Sequence, residues 1–417
     1  MRRIIAIILA AGKGTRMKSN IPKVLHGLLG RPIISYVLDA VIESGINYTI
    51  IIAGHGSRLL AETVRQTKVL VQKELSGSAS AVMTAKRFLK SYTGDILVSC
   101  GDAPLIKSGT IKALTEKHKS EKASLTILTA ELQNPAGYGR IVRNDNKRIV
   151  KILEEGEAGV FEKAISEVNA GTYCFKAKDL FDALAEVKPD NKKKEFFLTD
   201  TVAILHKKGK KIESVTINGP DEMIGINTKR DLARAAQILK NNILEEMMTS
   251  GVTVEDPPST TIYPGVKIKA DTVIHPNTVI ESDVEIGKNC HIGPFARIRP
   301  EVRIGDNVEI GNFVELVRTD IGSGAKVKHH TYLGDTAVGK NVNIGAGTIT
   351  ANFDGKRKNK TVIEDGAFIG VGAVLIAPLR IGKGAVVGAG AVVPKGRDVP
   401  KGATVVGVPA RILKRNK

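Results

Sequence analysis

Residues 261–298 read TIYPGVKIKADTVIHPNTVIESDVEIGKNCHIGPFARI, with isoleucine at 262, 268, 274, 280, 286, 292 and 298. The spacing of six continues through Ile304, Ile310 and Leu316. It slips by one at Ile321, resumes through Val327 and Leu333, and slips again before Val338 and Ile344. After a gap it returns at Ile363, Ile369, Leu375, Ile381, Val387 and Val393. Glycine often follows the aliphatic, as at Gly287, Gly305 and Gly382. Small or β-branched residues such as Thr272, Thr278, Val284, Ala296 and Val308 sit four places on. A period of six matches neither a helix face nor an alternating strand. It predicts a β-solenoid, each hexad a short strand plus a turn, with the aliphatics stacked inward.

The repeats break once, at 351–360. Asn352-Phe353-Asp354-Gly355 reads as a turn and Lys356-Arg357-Lys358-Asn359-Lys360 as a basic tip. An insertion extruded from a solenoid coil is either a functional loop or a solvated one. Working back toward the N-terminus, Thr228 to Ser250 carries Leu232, Ala235, Leu239, Ile243 and Met247 at helical spacing, ending at Gly251. Before it, apolar runs at Ile4–Leu9, Tyr48–Ala53 and Asp95–Cys100 alternate with helical stretches at Pro32–Ser44 and Ala79–Lys90. That alternation predicts an α/β domain with a mostly parallel sheet. The expected division is residues 1–227, a connecting helix over 228–251, and a solenoid over 252–417.

The 417 residues allow two or three domains of ordinary size. A hydrophobic fraction of 42% with 25% charged residues excludes bulk disorder. Cys100, Cys174 and Cys290 are far apart and odd in number, which gives no disulfide framework and no zinc spacing and suits a reducing cytoplasm. No apolar run approaches the roughly 20 residues of a membrane span. Met1-Arg2-Arg3 before Ile4–Leu9 imitates a signal peptide, but the run stops at Gly12-Lys13-Gly14, as a buried strand feeding a glycine-rich loop would. Sixty-two Lys and Arg against 43 Asp and Glu give a net charge of +19, which suits anionic partners. The runs at Lys192–Lys194, Lys207–Lys211 and Lys414-Arg415 are separate and lack interleaved aromatics, so they read as solvated surface rather than a nucleic-acid stripe.

The richest segment is Leu9-Ala10-Ala11-Gly12-Lys13-Gly14-Thr15-Arg16-Met17, followed by Pro22-Lys23. A strand ending in glycines lets backbone N–H groups face a phosphate. Lys13, Arg16 and Lys23 add cations for a triphosphate. The spacing is neither the Walker A nor the dinucleotide pattern. Asp102, in Gly101-Asp102-Ala103-Pro104-Leu105, reads as a metal ligand or as the cap of a turn. Asn227, in Gly225-Ile226-Asn227, reads as a second ligand or as a helix cap.

With these motifs the chain resembles the sugar-1-phosphate nucleotidylyltransferases. It resembles more closely the bifunctional N-acetylglucosamine-1-phosphate uridylyltransferase/glucosamine-1-phosphate N-acetyltransferase family, over roughly residues 3–411. The resemblance implies an α/β nucleotidylyltransferase (Rossmann-like) domain followed by a left-handed parallel β-helix, assembled as a trimer. It implies UTP and sugar phosphate as substrates, Mg²⁺ on Asp102 and Asn227, and nucleotide contacts from Leu9, Ala10, Ala11, Gly12, Gly14, Lys23, Gln72, Gly77 and Ser78. Arg16 and Lys23 would serve the transfer itself. Gly139, Glu154, Asn169 and Thr199 would hold the sugar phosphate. Leu75 stands where a second glutamine is usual, which bears on the choice between UTP and dTTP.

For the solenoid the resemblance implies acetyl-CoA as acyl donor and His329 as general base, oriented by Glu315. Arg299, Tyr332, Asn343 and Lys358 would clamp the sugar phosphate. Asn352, Phe353, Val371, Ala389 and Arg411 would meet acetyl-CoA. Val317, Val371 and Phe353 depart from the lysine, serine and tyrosine of the pattern. Two other readings stay open: a monofunctional nucleotidylyltransferase whose solenoid only oligomerises, favoured by Val317 and Val371, and a non-enzymatic scaffold, opposed by the intact Gly12, Arg16, Lys23, Asp102 and Asn227.

Overall fold

The computed structural model describes residues 4–413 apart from His55, Gln66 and Lys193. The signal-like start at 1–3, Lys193 and the Lys414-Arg415 run lie outside the described residues. The chain divides into two compact units, Met1–Ala236 and Gln237–Lys417. The division falls inside the helix Lys229–Thr249, so part of the expected connecting helix belongs to each unit.

The first unit is built on strands β1 (Ile4–Ala10), β2 (Thr49–Ala53), β3 (Lys68–Val71), β4 (Asp95–Cys100), β5 (Leu125–Glu131), β6 (Arg140–Arg143), β7 (Ile149–Leu153), β8 (Glu167–Lys176) and β9 (Ile212–Thr216). They run in the order β9-β5-β8-β4-β1-β2-β3, with the hairpin β6-β7 branching from β8. Strands β4, β1, β2 and β3 are mutually parallel, with Ile8 opposite Ile51 on one side and Ser99 on the other. β8 runs antiparallel between β4 and β5. The β1 run is unbroken in aliphatics because apolar clusters cover both faces of the sheet: Ile5 and Ile7 join one, Ala6 and Ile8 the other. Ligands of such sheets collect beyond the carboxyl ends of the parallel strands, where β1 feeds Ala11–Gly14 and β4 feeds Gly101-Asp102.

Helix α1 (Ile33–Glu43) falls where the spacing placed it. The stretch expected as one helix over Ala79–Lys90 is instead α2 (Ser78–Met83) and a separate 3₁₀ turn at Lys86–Phe88. The Thr84 amide is shared between the Ser80 and Ala81 carbonyls, and Ala85 bonds only to Val82, so the α ladder tightens and ends.

In the second unit the hexads become short strands in three sheets of ten, eight and seven strands, parallel except for the last, Arg411–Ile412, which runs antiparallel to Thr404–Val406. Ile262, Ile280, Ile298, Leu316 and Leu333 stack on one face, and Ile274, Ile292, Ile310, Val327 and Ile344 on another. Ile268, Ile286, Ile304, Ile321 and Val338 form the third. Three hexads therefore make one coil of 18 residues, and the aliphatics fill its interior. Thr272, Thr278, Val284, Ala296 and Val308 are also fully buried or nearly so, since a turn in the coil has room only for small side chains. Ile298 is completely buried. Ile298→Ala opens a void in a stack with no slack, and urea unfolding of the solenoid is expected to show a loss of about 2–5 kcal/mol.

The insertion at 353–360 is a small hairpin on the coil surface. Phe353 bridges Lys358 in antiparallel fashion, and the Asp354 carboxylate receives the amides of Lys356 and Arg357 and the side-chain amide of Asn359.

Candidate active sites

A cavity of about 490 Å³ opens at the carboxyl ends of β1 and β4. Leu9, Ala10, Ala11, Gly12, Lys13 and Lys23 line it on the β1 side, Cys100 and Asp102 on the β4 side, and Gln72, Leu75, Gly77 and Ser78 close another wall. The loop holds its shape because Gly14 has φ +63° and lies against Lys23: a Cβ there would sit 2.9 Å from the Lys23 Cβ. Gly77, at φ +120°, approaches the Phe196 carbonyl so closely that a Cβ would fall 2.3 Å from its oxygen. Gln72 is buried, with Nε2 donating to the Gly77 carbonyl at 3.3 Å and to Ser80 Oγ at 3.2 Å. Ser78 lines the cavity, but its Oγ is occupied by the Leu198 amide at 2.8 Å. Leu75 supplies an apolar wall where an amide was the expected type.

At the mouth of this cavity the charged residues converge. The Lys23 ammonium is ion-paired to Asp102 and donates to Asn227 Oδ1 at 3.1 Å, and the Arg16 guanidinium reaches the same oxygen at 2.9 Å. Asp102 is thus paired with a cation in addition to its place in the turn before Pro104. Asn227 also precedes a helix, yet Thr228 caps it: the Thr228 hydroxyl accepts the Asp231 amide, and the Asp231 carboxylate accepts the amides of Asn227 and Thr228 in return. A carboxylate and an amide oxygen meeting on one cation are the hard donors that Mg²⁺ takes. No cluster of three or more His, Cys, Asp or Glu suited to a metal occurs among the described residues. A divalent ion held here would complete its shell with water and phosphate oxygens.

Beside this group, Glu154 accepts from the Thr199 hydroxyl at 2.9 Å, and the Asn169 amide donates to the Gly139 carbonyl across the β6–β8 junction. The Asn169 side chain donates to Tyr173 Oη at 2.6 Å and accepts the Gly171 amide. The four residues expected to hold the sugar phosphate thus form two hydrogen-bonded pairs, which adjoin where a Cβ on Gly139 would lie 3.7 Å from Glu154 Oε2. Burial pushes the Cys100 thiol up to about 12, and Asp102, Lys23 and Glu154 all act on it, so the two groups share one neighbourhood. Glu195, another lining residue, had no signal in the sequence beyond its nearness to Thr199.

Asp200, next to Thr199, is half-buried, and burial followed by the charges of Glu157 and Glu154 raises its pKa to about 6. A carboxyl raised in the folded state favours folding while protonated and opposes it once ionised. Its contribution is therefore present below the ordinary aspartate pKa and lost as the pH rises through about 6. Asp200→Asn is expected to raise the melting temperature at pH 8, and the gain over the wild type should shrink toward zero at pH 4.

On the solenoid, His329 ends the strand Lys326–His329 and is exposed. Its Nδ1 lies 3.1 Å from Asn312 Oδ1, one coil below in register. Glu315, expected to orient it, instead accepts from Arg299 at 3.0 Å and stands beside Tyr332 on the adjacent face. The strand register explains the change of partner: Glu315 follows the Phe313 corner, while Asn312 precedes it and shares the His329 column. The amides of His330, Gly347, Gly372 and Gly390 each bond the carbonyl of a residue one coil below, at Asn312, His329, Ala346 and Val371. Asn312, His329, Ala346 and Val371 therefore stand in one column, continued by Ala389, which like Val371 is exposed. Asn343 is paired with Lys326 on the same sheet as His329.

On the adjacent face Arg299, Glu315 and Tyr332 lie along successive coils, with Asn352 buried and Lys358 on the hairpin above. Val317 is buried and offers no replacement for a lysine. The cation next to it, Arg318, is not free to take the lysine's place, because its guanidinium is held by Asp335. Phe353 is exposed on the hairpin, and Arg411 lies on a terminal strand opposite Val406.

A nucleotidyl transferase family model matches residues 5–246, and a bacterial transferase hexapeptide (six repeats) model matches 283–318 and 360–395. The solenoid is thus a left-handed β-helix of hexapeptide repeats. The "Bifunctional protein GlmU" of Pelotomaculum thermopropionicum is 43% identical over 410 residues, covering 90% of each chain. That of Shouchella clausii is 42% identical over 416 residues, covering 92% of each. Among solved structures, a UDP-glucose pyrophosphorylase complexed with UDP-glucose covers 58% of this chain and 100% of its own, at 18% identity and a TM-score of 0.48, too low to carry weight. With a nucleotidyl transferase unit, hexapeptide repeats and that identity along nine-tenths of the length, the chain belongs to the bifunctional GlmU family.

Proposed function

We propose that the N-terminal unit transfers UMP from UTP to N-acetylglucosamine 1-phosphate, giving UDP-N-acetylglucosamine and pyrophosphate, and that the solenoid makes the acceptor by N-acetylating glucosamine 1-phosphate from acetyl-CoA. The observation that carries this is the meeting of Arg16, Lys23, Asp102 and Asn227 at the mouth of the Gly12–Gly14 cavity. A sugar phosphate oxygen attacks the α-phosphorus and pyrophosphate leaves, with no covalent enzyme intermediate. The protein supplies position and charge. Backbone amides of Ala11–Gly14 face the phosphates. Lys23 and Arg16 neutralise charge that develops during transfer. Glu154, Asn169 and Thr199 orient the sugar. Mg²⁺ held by Asp102 and Asn227 would polarise phosphate oxygens.

In the solenoid, an amide oxygen on Nδ1 requires that nitrogen to carry the proton, so Nε2 of His329 is left as the base. It takes a proton from the sugar amine as the amine attacks the thioester carbonyl, and the thiolate of CoA leaves. His329 and the Arg299–Tyr332 face are separate surfaces of one chain. A partner solenoid in a homotrimer would bring such surfaces together. Free cysteines suit a cytoplasmic setting, and no helix among the described residues is long and apolar enough to cross a membrane.

The test is pyrophosphate release from UTP with Mg²⁺, comparing N-acetylglucosamine 1-phosphate with glucosamine 1-phosphate, the latter with and without acetyl-CoA. Release from glucosamine 1-phosphate only when acetyl-CoA is present supports both activities. Release from N-acetylglucosamine 1-phosphate alone would leave a uridylyltransferase on an inert solenoid.

A further inference from the structure

Asp335 enters neither of the residue sets above, yet it sits under the acetyl-transfer face. It occupies a left-handed corner (φ +52°), one coil above Arg318, itself in a corner at φ +48°. Arg318 grips it from both nitrogens, Nε to Oδ1 at 2.6 Å and Nη2 to Oδ2 at 2.9 Å. The Asn352 side-chain amide donates to the same Oδ2. Arg318 first, then Asn352 and the nearby Lys358, hold the Asp335 carboxyl below the usual aspartate range, so it stays ionised.

An ionised carboxylate only accepts hydrogen bonds. Asn352 must therefore turn its NH₂ toward Asp335 and its oxygen the other way. An asparagine facing water or a neutral amide has no such constraint, because its two ends are nearly equal in shape. Asn352 is 7% exposed, and its backbone carbonyl accepts the Asn359 backbone amide at 2.7 Å, so the same residue anchors the hairpin that carries Lys358 while its side-chain oxygen stays free of that bond. The bidentate Arg318 pair leaves the carboxylate little freedom to rotate.

We propose that Asp335 is a positioning residue of the acetyl-transfer site. Braced by Arg318, it fixes the Asn352 carboxamide so that an oxygen, not an NH₂, meets an N–H of the incoming ligand. The chemistry fits an amide N–H of an acyl-thioester cofactor's arm. The inference rests on the reading of the solenoid as an acetyltransferase.

The test uses the full chain and both activities. Asp335→Asn keeps the shape and removes the charge. It should lower kcat/KM for acetyl transfer by about tenfold or more, the scale of one misdirected polar contact. Uridylyl transfer from N-acetylglucosamine 1-phosphate and the far-ultraviolet circular dichroism should not change. In an Asn352→Ala background the same substitution should cost little further, because residues acting through one another are not additive. The exchanged pair Asp335→Asn with Asn352→Asp should recover part of the loss, since a carboxylate at 352 presents oxygen either way round. Equal loss in both backgrounds, or an active Asp335→Asn variant, would overturn the positioning role. A wild type that transfers UMP but no acetyl group would instead overturn the reading beneath it.

Discussion

Asp102→Asn is expected to lower kcat for uridylyl transfer by about 10²- to 10³-fold, the cost of removing one group aimed at developing charge. Asparagine has almost the same shape, so the Gly101-Asp102 turn and its backbone bond to Ile226 should survive. What is lost is the negative charge. In the structure that charge is the counter-ion of Lys23, and Asn227 offers only a neutral oxygen beside it. Without it the two cations Lys23 and Arg16 face each other across Asn227, and a divalent ion loses its one anionic protein donor. Raising Mg²⁺ should recover part of the activity if the carboxylate serves the metal, and none if it serves only Lys23. Acetyl transfer, measured on the same preparation as thiol release from acetyl-CoA, should be unchanged. Uridylyl transfer within about threefold of the wild type would show that Asp102 is the turn cap its neighbour Pro104 suggests.

The two halves of the molecule were unequally legible. A solenoid is written in its period, because every sixth residue must fill the same narrow interior, and the unbroken run from Ile262 to Leu316 favoured it over a glycine-rich β sandwich. The one-residue slips at Ile321 and before Val338 were legible as breaks, but their consequence was not drawn. They shorten those coils from 18 to 17 residues, and that offset pairs Asn312 with His329, Glu315 with Tyr332, and sets Asp335 one coil below Asn352. Counting back 17 from His329 finds Asn312, the partner that family resemblance had given to Glu315.

In the α/β unit, the loop and its glycines were readable, since a strand ending in Gly12 and Gly14 has few other uses. The meeting of Asn227 with Arg16 was not. It joins residues 211 apart through the sheet order, and single-sequence spacing carries no such information. The shortened helix after Ser78 was missed for the opposite reason. Alanine, methionine and lysine favour helix locally, while the competition between the Ser80 and Ala81 carbonyls for the Thr84 amide belongs to the folded backbone.

His329→Ala should lower acetyl transfer by about 10²- to 10⁴-fold, the usual contribution of a positioned general base. The side chain is exposed and its one side-chain hydrogen bond is to Asn312, so stability should change by no more than about 0.5 kcal/mol. Uridylyl transfer supplies the internal control. Asn312→Ala should fall between wild type and His329→Ala: the base remains but its tautomer is no longer held, so Nε2 carries the proton for part of the time. Added imidazole should restore some acetyl transfer to His329→Ala and none to Asn312→Ala, because only the first leaves a hole of the right shape. The column above His329 makes this a severe test of the solenoid. Val371 and Ala389 offer no hydroxyl or charge, so little else there can move a proton. If His329→Ala kept its acetyl transfer within a few fold, the base would lie outside this column. The exposed histidine would then be a surface residue of its coil, and the proton would leave by another group.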